Sequence, residues 1–314
     1  MSKIIERIAR DLGIPDILSR LVDALPATDL QSLLLEVYRQ RAARQQPAAV
    51  LADYEHNRFA RPATASPLRL LRWEQTAFAA LPPDFQAIEL SPVAPLGTCS
   101  AIAAVDQNRV LTTARGTEVV ADSTNVLALE AALRRRQLLR INPKSKTPVH
   151  LAARHRLLRT QSYNDPHSIP HFSIFSLCSA GQDEGNLRFE SAALVHHISI
   201  YLHALTAFLG ADTPLQLELT DFHPTGRQAQ LAETVIFPLR QRFPQLVWSW
   251  DSTRESGRGY YVDLCFHINA TNRAGEVLQL ADGGVVDWTQ RLLSNARERC
   301  FISGLGSERL CAAF

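Results

Sequence analysis

The strand-like segments of this chain come in groups, and that grouping constrains its fold more than any other feature. Residues 157–161 and 172–177 look like two strands on either side of a polar loop at 162–170, which reads as a hairpin with a long tip. Strand patterns at 247–250, 260–268 and 277–280 then follow one another with no helix between them. Parallel neighbours need a crossover of a dozen or more residues, usually helical. Strands collected in this way, with helices before and after but no strict βαβ alternation, predict an α+β fold built on a mainly antiparallel sheet flanked by helices.

The 314 residues are 46% hydrophobic and 20% charged, a balance that supports a folded chain with a sizeable core. At about 100–200 residues per domain, that length fits one large domain or two smaller ones. Helical spacing of Ile4, Ile5, Ile8 and Leu12, a second helix over 16–25, and a third over 30–42 opened by a cap at Thr28-Asp29 predict a helical N-terminal region over residues 1–66. Connectors are expected at 45–47 and 60–67. The remainder, 67–314, is expected to form the main domain, with helices over 68–81, 125–136, 191–209, 228–242 and 287–299. Further strands are expected over 85–90, 110–113, 118–121 and 215–219.

Thirty-three Lys and Arg against 31 Asp and Glu leave a net charge of +2, too little for a global field that would select nucleic acid. A local cluster, Arg134, Arg135, Arg136, Arg140, Lys144 and Lys146, is either a solvated helix end beside its own dipole or an RNA backbone contact. Uncharged apolar runs such as 101–105 fall short of the roughly 18–20 residues that span a bilayer. Glu6 and Asp11 interrupt the N-terminus where a secretory signal would be apolar, so the expectation is a cytoplasmic protein without a membrane partner. Five cysteines with no Cys-x-x-Cys pair are expected to be buried free thiols. His155, His167, His171, His196, His197 and His223 show no metal-binding spacing, so no metal site is expected.

Three segments in order resemble the signature motifs of class II aminoacyl-tRNA synthetases. The first is the helix at 68–81 running into Phe85-Gln-Ala-Ile-Glu-Leu-Ser-Pro92. The second is Leu157-Leu-Arg-Thr-Gln161, the loop, and Phe172-Ser-Ile-Phe175. The third is Phe301-Ile-Ser-Gly-Leu-Gly-Ser-Glu-Arg-Leu310. Within the class the histidyl branch is the nearest, through Ser256-Gly-Arg-Gly-Tyr-Tyr261, Ala281-Asp-Gly-Gly284 with Asp287, and the turn Asp122-Ser-Thr124. The similarity runs from about residue 68 to the end.

The resemblance implies ATP held by Arg159 on the α-phosphate, Phe172 stacked on adenine, Gln161 and His171 beside them, Gly304 and Gly306 close to the nucleotide, and Arg309 towards the γ-phosphate. His167 lies in the same loop as His171. A guanidinium suits these places because its planar fork binds two phosphate oxygens at once. Arg258 would stand beside the substrate carboxylate, giving three catalytic arginines: Arg159, Arg258 and Arg309. Asp122, Thr124, Tyr260, Tyr261, Gly283 and Gly284 would line the amino-acid pocket.

The implied function is ATP-dependent amino-acid activation, forming an aminoacyl-adenylate with ATP and Mg²⁺ in a homodimer joined through residues 68–92. Gln161 stands where the family has an acidic residue, Ile302 where it has a leading glycine, and Val285 where the branch has an arginine. No anticodon-binding module is expected after the third motif. Ordinary tRNA charging is therefore not expected, and the acyl acceptor would be a tRNA, a carrier or a partner protein. The alternative is a non-catalytic paralogue acting as a regulatory or binding subunit.

Overall fold

An eight-stranded sheet organises the computed structural model, which describes residues 3–161, 170–223 and 226–314. The chain opens with α1 (Lys3–Asp11), α2 (Ile17–Ser19) running into a π-helical turn (Arg20–Ala24), α3 (Ala27–Ala42) and α4 (Pro47–His56). α3 starts directly after Pro26, so Thr28 and Asp29 lie in its first turn instead of capping it. There Asp29 still suits the positive end of the helix dipole. α4, absent from the sequence expectation, begins at Pro47, where a missing N–H costs nothing. Of the side chains on these four helices only Ala9 is buried.

The chain continues through α5 (Pro67–Ala79), β1 (Phe85–Ala87), β2 (Val93–Pro95), α6 (Thr98–Ala103), β3 (Thr117–Val119) and α7 (Ser123–Ile141). Next come β4 (Val149–Leu158), β5 (His171–Gln182), α8 (Arg188–Leu209) and β6 (Leu215–Asp221). α9 (Gln228–Leu231), a π-helical turn (Ala232–Ile236) and α10 (Phe237–Arg242) then run on as one interrupted helix. β7 (Val247–Trp250), β8 (Leu264–Thr271), β9 (Val277–Val286), α11 (Trp288–Leu293), β10 (Glu298–Gly306) and α12 (Ser307–Ala313) complete it.

The sheet order is β1-β4-β5-β10-β9-β8-β6-β7. Its six inner strands pair antiparallel, while the edge strands β1 and β7 lie parallel to their neighbours, so the sheet is mixed. Alternate residues point to opposite faces. Phe175, Leu177, Phe266 and Phe301 meet α5 and α8 on one face, through Trp73, Ile198, Tyr201 and Leu205. Cys178, Ala180, Cys300 and Ile302 meet Leu127, Ala128 and Ala131 of α7 on the other. All five cysteines are buried and free.

Several boundaries differ from the sequence expectation. β4 ends at Leu158, so Arg159 stands just beyond the strand that the pattern at 157–161 assigned to it. β8 starts at Leu264, leaving Tyr260 and Tyr261 in the turn before it, where Tyr261 N–H bonds to the Gly257 carbonyl. The last predicted helix stops at Leu293 because Ser294 adopts the left-handed conformation, and residues 298–299 already belong to β10. The strand expected at 85–90 ends at Ala87. Residues 110–113 form a single bridge, Thr112 to Glu118, and β3 pairs with β2 instead. α8 is 22 residues long and apolar enough to cross a membrane, contrary to the count of uncharged runs, but most of it is buried against the sheet as the core helix.

Candidate functional site

The turn before α7 gathers the first cluster. Asp122 caps that helix, its Oδ1 accepting from Thr124 N at 2.9 Å and Thr124 Oγ1 at 2.7 Å. Its Oδ2 accepts from Tyr260 Oη at 3.4 Å and stands 3.6 Å from Arg159 Nη2. Arg159 is fixed by an Nε bond to the Ala121 carbonyl at 2.9 Å, and its guanidinium lies 5.3 Å from the centroid of Phe172. Burial, then the charge of Asp122, pushes the Tyr260 phenol well above its usual pKa, so it stays a donor at neutral pH.

Tyr260 meets Tyr261 edge-on at 5.0 Å and Trp288 at 5.5 Å. Tyr261 packs where Gly284 has no side chain: a Cβ there would come within 2.6 Å of its ring and of the Leu264 carbonyl. At Gly283, on the opposite face, a Cβ would fall 2.4 Å from Ser303 Cβ and 2.6 Å from Phe266. The glycine pair in β9 thus lets an aromatic ring lie against each face of the strand.

A residue that sequence reasoning missed completes this cluster. Arg254 is only 6% exposed, donates from Nη2 to Asp282 Oδ1 at 3.1 Å and from Nε to the Ser256 carbonyl at 2.8 Å, and lies over Tyr261. Its Nη1 is buried without a hydrogen-bond partner among the described residues. Asp282 is also 3.6 Å from His267, which burial holds below its usual pKa. Arg258, the arginine expected here, is not brought in: it is half-exposed, pairs with Glu255 at 3.2 Å and covers Phe222. Arg254 carries no motif of its own, and only its place four residues before Arg258 could have drawn attention to it.

Several of the residues expected around the nucleotide contact the chain itself. His171 Nε2 bonds to the Arg61 carbonyl at 2.6 Å and its Nδ1 accepts from Arg156, which also pairs with Glu308. The carbonyls of Thr160 and Gln161 accept from Arg58 at 3.0 and 2.9 Å, so the segment before α5 lies over the base of this hairpin. A Cβ at Gly304 would sit 2.6 Å from Ile174 Cδ1, so that space is filled by Ile174. Gly306 stays open, its nearest neighbour being Arg309 Cβ at 3.6 Å. Arg309 donates to the Gln279 carbonyl at 3.2 Å. The three expected arginines therefore occupy three different settings. His167 lies outside the described residues.

Two other charged features are partly paired within the chain. In the basic cluster, Arg135 is wholly buried against Glu298 and Arg134 pairs with Glu130. A cleft of about 570 Å³ is lined by Asp183, Glu190, Arg227, Asp263 and Arg299. Its arginines are already paired, Arg227 with Asp221 and Asp263, Arg299 with Asp183 and Glu190.

No protein-family model and no curated protein matches this chain. Solved structures do match. Apo histidyl-tRNA synthetase of S. aureus superposes with a TM-score of 0.57 at 14% identity, over 78% of this chain and 64% of that one. An ATP phosphoribosyltransferase regulatory subunit/histidyl-tRNA synthetase from Bacillus halodurans gives 0.58 at 12%, over 86% and 83%. The RNA binding domain of threonyl-tRNA synthetase from Cryptosporidium parvum gives 0.55 at 12%, over 78% and 62%. This chain thus spans less than two thirds of the first of these proteins. At such identities the likeness establishes the fold: a class II aminoacyl-tRNA synthetase-type core, as the order of the three motifs implied.

Proposed function

We propose that this chain is a non-catalytic subunit of synthetase type that binds a free α-amino acid and serves a partner as its sensing or regulatory component. The observation that carries the reading is Nη1 of Arg254, buried and without a hydrogen-bond partner among the described residues. A buried cationic donor left open is costly, and the carboxylate of an amino acid supplies the acceptor it lacks. Asp122, whose Oδ2 accepts from Tyr260, offers a carboxylate acceptor to the ammonium group of the ligand. Where the resemblance would put a triphosphate, His171 is held by the Arg61 carbonyl and Ile174 fills the space beside Gly304.

One structural neighbour is described as an ATP phosphoribosyltransferase regulatory subunit, so a phosphoribosyltransferase is the first partner class to test. Leu68 and Leu71 of α5 are exposed on the element expected to join a homodimer, which supports that assembly.

A second reading rests on Arg159 standing over Phe172. In it the chain activates the amino acid: the carboxylate attacks the α-phosphate of ATP, pyrophosphate leaves with its Mg²⁺, and Arg159 neutralises the charge that develops on the phosphate oxygens. ATP–pyrophosphate exchange, run across the amino acids, separates the two. A folded protein that binds an amino acid without exchange supports the sensing subunit. Exchange that needs one amino acid and is lost in Arg159→Ala supports activation.

A further inference from the structure

The fold assembles a histidine cluster at the β1 edge of the sheet, on the face away from the site described above. Parallel pairing of β1 with β4 sets Phe85 opposite His150, which brings Asp84 beside it, and α8 crosses the same face carrying His196. One ligand-type atom from each of Asp84, His150 and His196 lies within 4.8 Å of the others, with His150 Nε2 to Asp84 Oδ2 at 3.9 Å. The short histidine spacings sought in the sequence could not show this, because the three residues come from three separate elements.

The surroundings prepare the histidines as ligands. Phe85 stacks on the His150 ring at 5.0 Å and meets His196 edge-on at 6.4 Å, fixing both rings. His150 Nδ1 is 2.7 Å from Ser179 Oγ, which is 2.8 Å from His197 Nε2; His197 Nδ1 is 2.7 Å from Ser303 Oγ, itself 3.0 Å from Tyr201 Oη. Running the donors from His150 towards Tyr201 gives each proton an acceptor, ending at the Phe175 carbonyl. With Nδ1–H donating in this way, the lone pair of His150 lies on Nε2, towards Asp84. Such an outer hydrogen bond is how metal-ligating histidines are oriented. His196 Nδ1, meanwhile, is buried without a hydrogen-bond partner among the described residues.

We infer that Asp84, His150 and His196 bind a divalent transition-metal ion, tying the short edge strand β1 to β4 and α8. Two imidazoles and one carboxylate suit Zn²⁺ or Co²⁺ in a tetrahedral site whose fourth position holds water. Bonds of about 2.1 Å place tetrahedral ligands about 3.4 Å apart, so the ligand atoms must close slightly. Asp84, with a half-exposed side chain, has the freedom to swing in.

Titration of the full chain with Co²⁺ tests the site. The expected result is one Co²⁺ per chain with the visible absorption of a tetrahedral complex, displaced by Zn²⁺, and an affinity at least about ten-fold lower in Asp84→Asn and in His196→Gln. Absence of stoichiometric binding, unchanged affinity in Asp84→Asn, or a thiolate-to-cobalt charge-transfer band would overturn it. Should His196→Gln fail to fold, Asp84→Asn carries the test, because its side chain reaches solvent.

Discussion

Arg135 ties the helix that presents Asp122 to the start of β10 and to the loop before β4, and its replacement by methionine gives a large, calculable effect. Both Arg135 and Glu298 have fully buried side chains, joined through Nε at 2.9 Å and Nη2 at 2.8 Å, while Arg135 also donates to the carbonyls of Ser145 and Thr147. Arg135→Met preserves most of the volume but leaves a buried carboxylate without its cation, a loss of about 3–5 kcal/mol. Adding Glu298→Met removes that charge, and only the two carbonyls lack donors, at about 1 kcal/mol each. The double variant is therefore expected to lie about 2 kcal/mol below wild type and above Arg135→Met alone. Urea unfolding followed by tryptophan fluorescence and far-UV circular dichroism reads all three proteins. A loss under about 1 kcal/mol in Arg135→Met, or a double variant no more stable than that single one, would refute the pairing as the anchor of α7.

Gly283→Ala is expected to cost about 1–3 kcal/mol in the same assay, because the new methyl meets Ser303, Phe266 and the Ile302 carbonyl with no room to shift; a change within about 0.5 kcal/mol would show that β9 yields there. Acid should weaken the fold early. Burial is the largest cause holding His150, His155, His197 and His267 below the usual 6.5, so the unfolded chain binds more protons as pH falls past that value. Their stabilisation is complete above 6.5 and is lost as pH drops towards their folded values. Glu190, which burial raises, pulls the other way above 4.5, but it is one group against four. The urea midpoint is expected to fall between pH 7 and 5, and a flat profile there would contradict the burial of these rings as neutral bases.

Patterning made the sheet legible because alternation in residues such as Phe175, Leu177, Phe266 and Ile268 records which face each side chain packs on. It misplaced the strand ends at Leu158 and Leu264, since Arg159 and Tyr260 leave the ladder for contacts with the turn around Asp122. The grouping at the start of α7 was legible only through the motif resemblance: Asp122, Thr124 and Tyr260, far apart in sequence, do meet there, and Gly284 makes room for the ring of Tyr261. The choice between Arg254 and Arg258 was not readable. Both lie in one irregular segment, and only the tertiary position of Asp282 decides which guanidinium is buried. The engagement of His171 by the Arg61 carbonyl was equally hidden, because it joins segments 110 residues apart.

Calorimetric titration of the amino acids into wild type, Arg254→Met and Arg258→Met tests most directly the proposal that the buried Nη1 of Arg254 receives an amino-acid carboxylate. A hydrogen bond to a charged group contributes about 1.5–3 kcal/mol, and 1.4 kcal/mol is ten-fold in affinity. One amino acid should bind wild type and Arg258→Met alike, without ATP, and bind Arg254→Met at least about ten-fold more weakly. Binding that survives in Arg254→Met but fails in Arg258→Met, or no binding of any amino acid to the folded wild-type protein, would contradict the account.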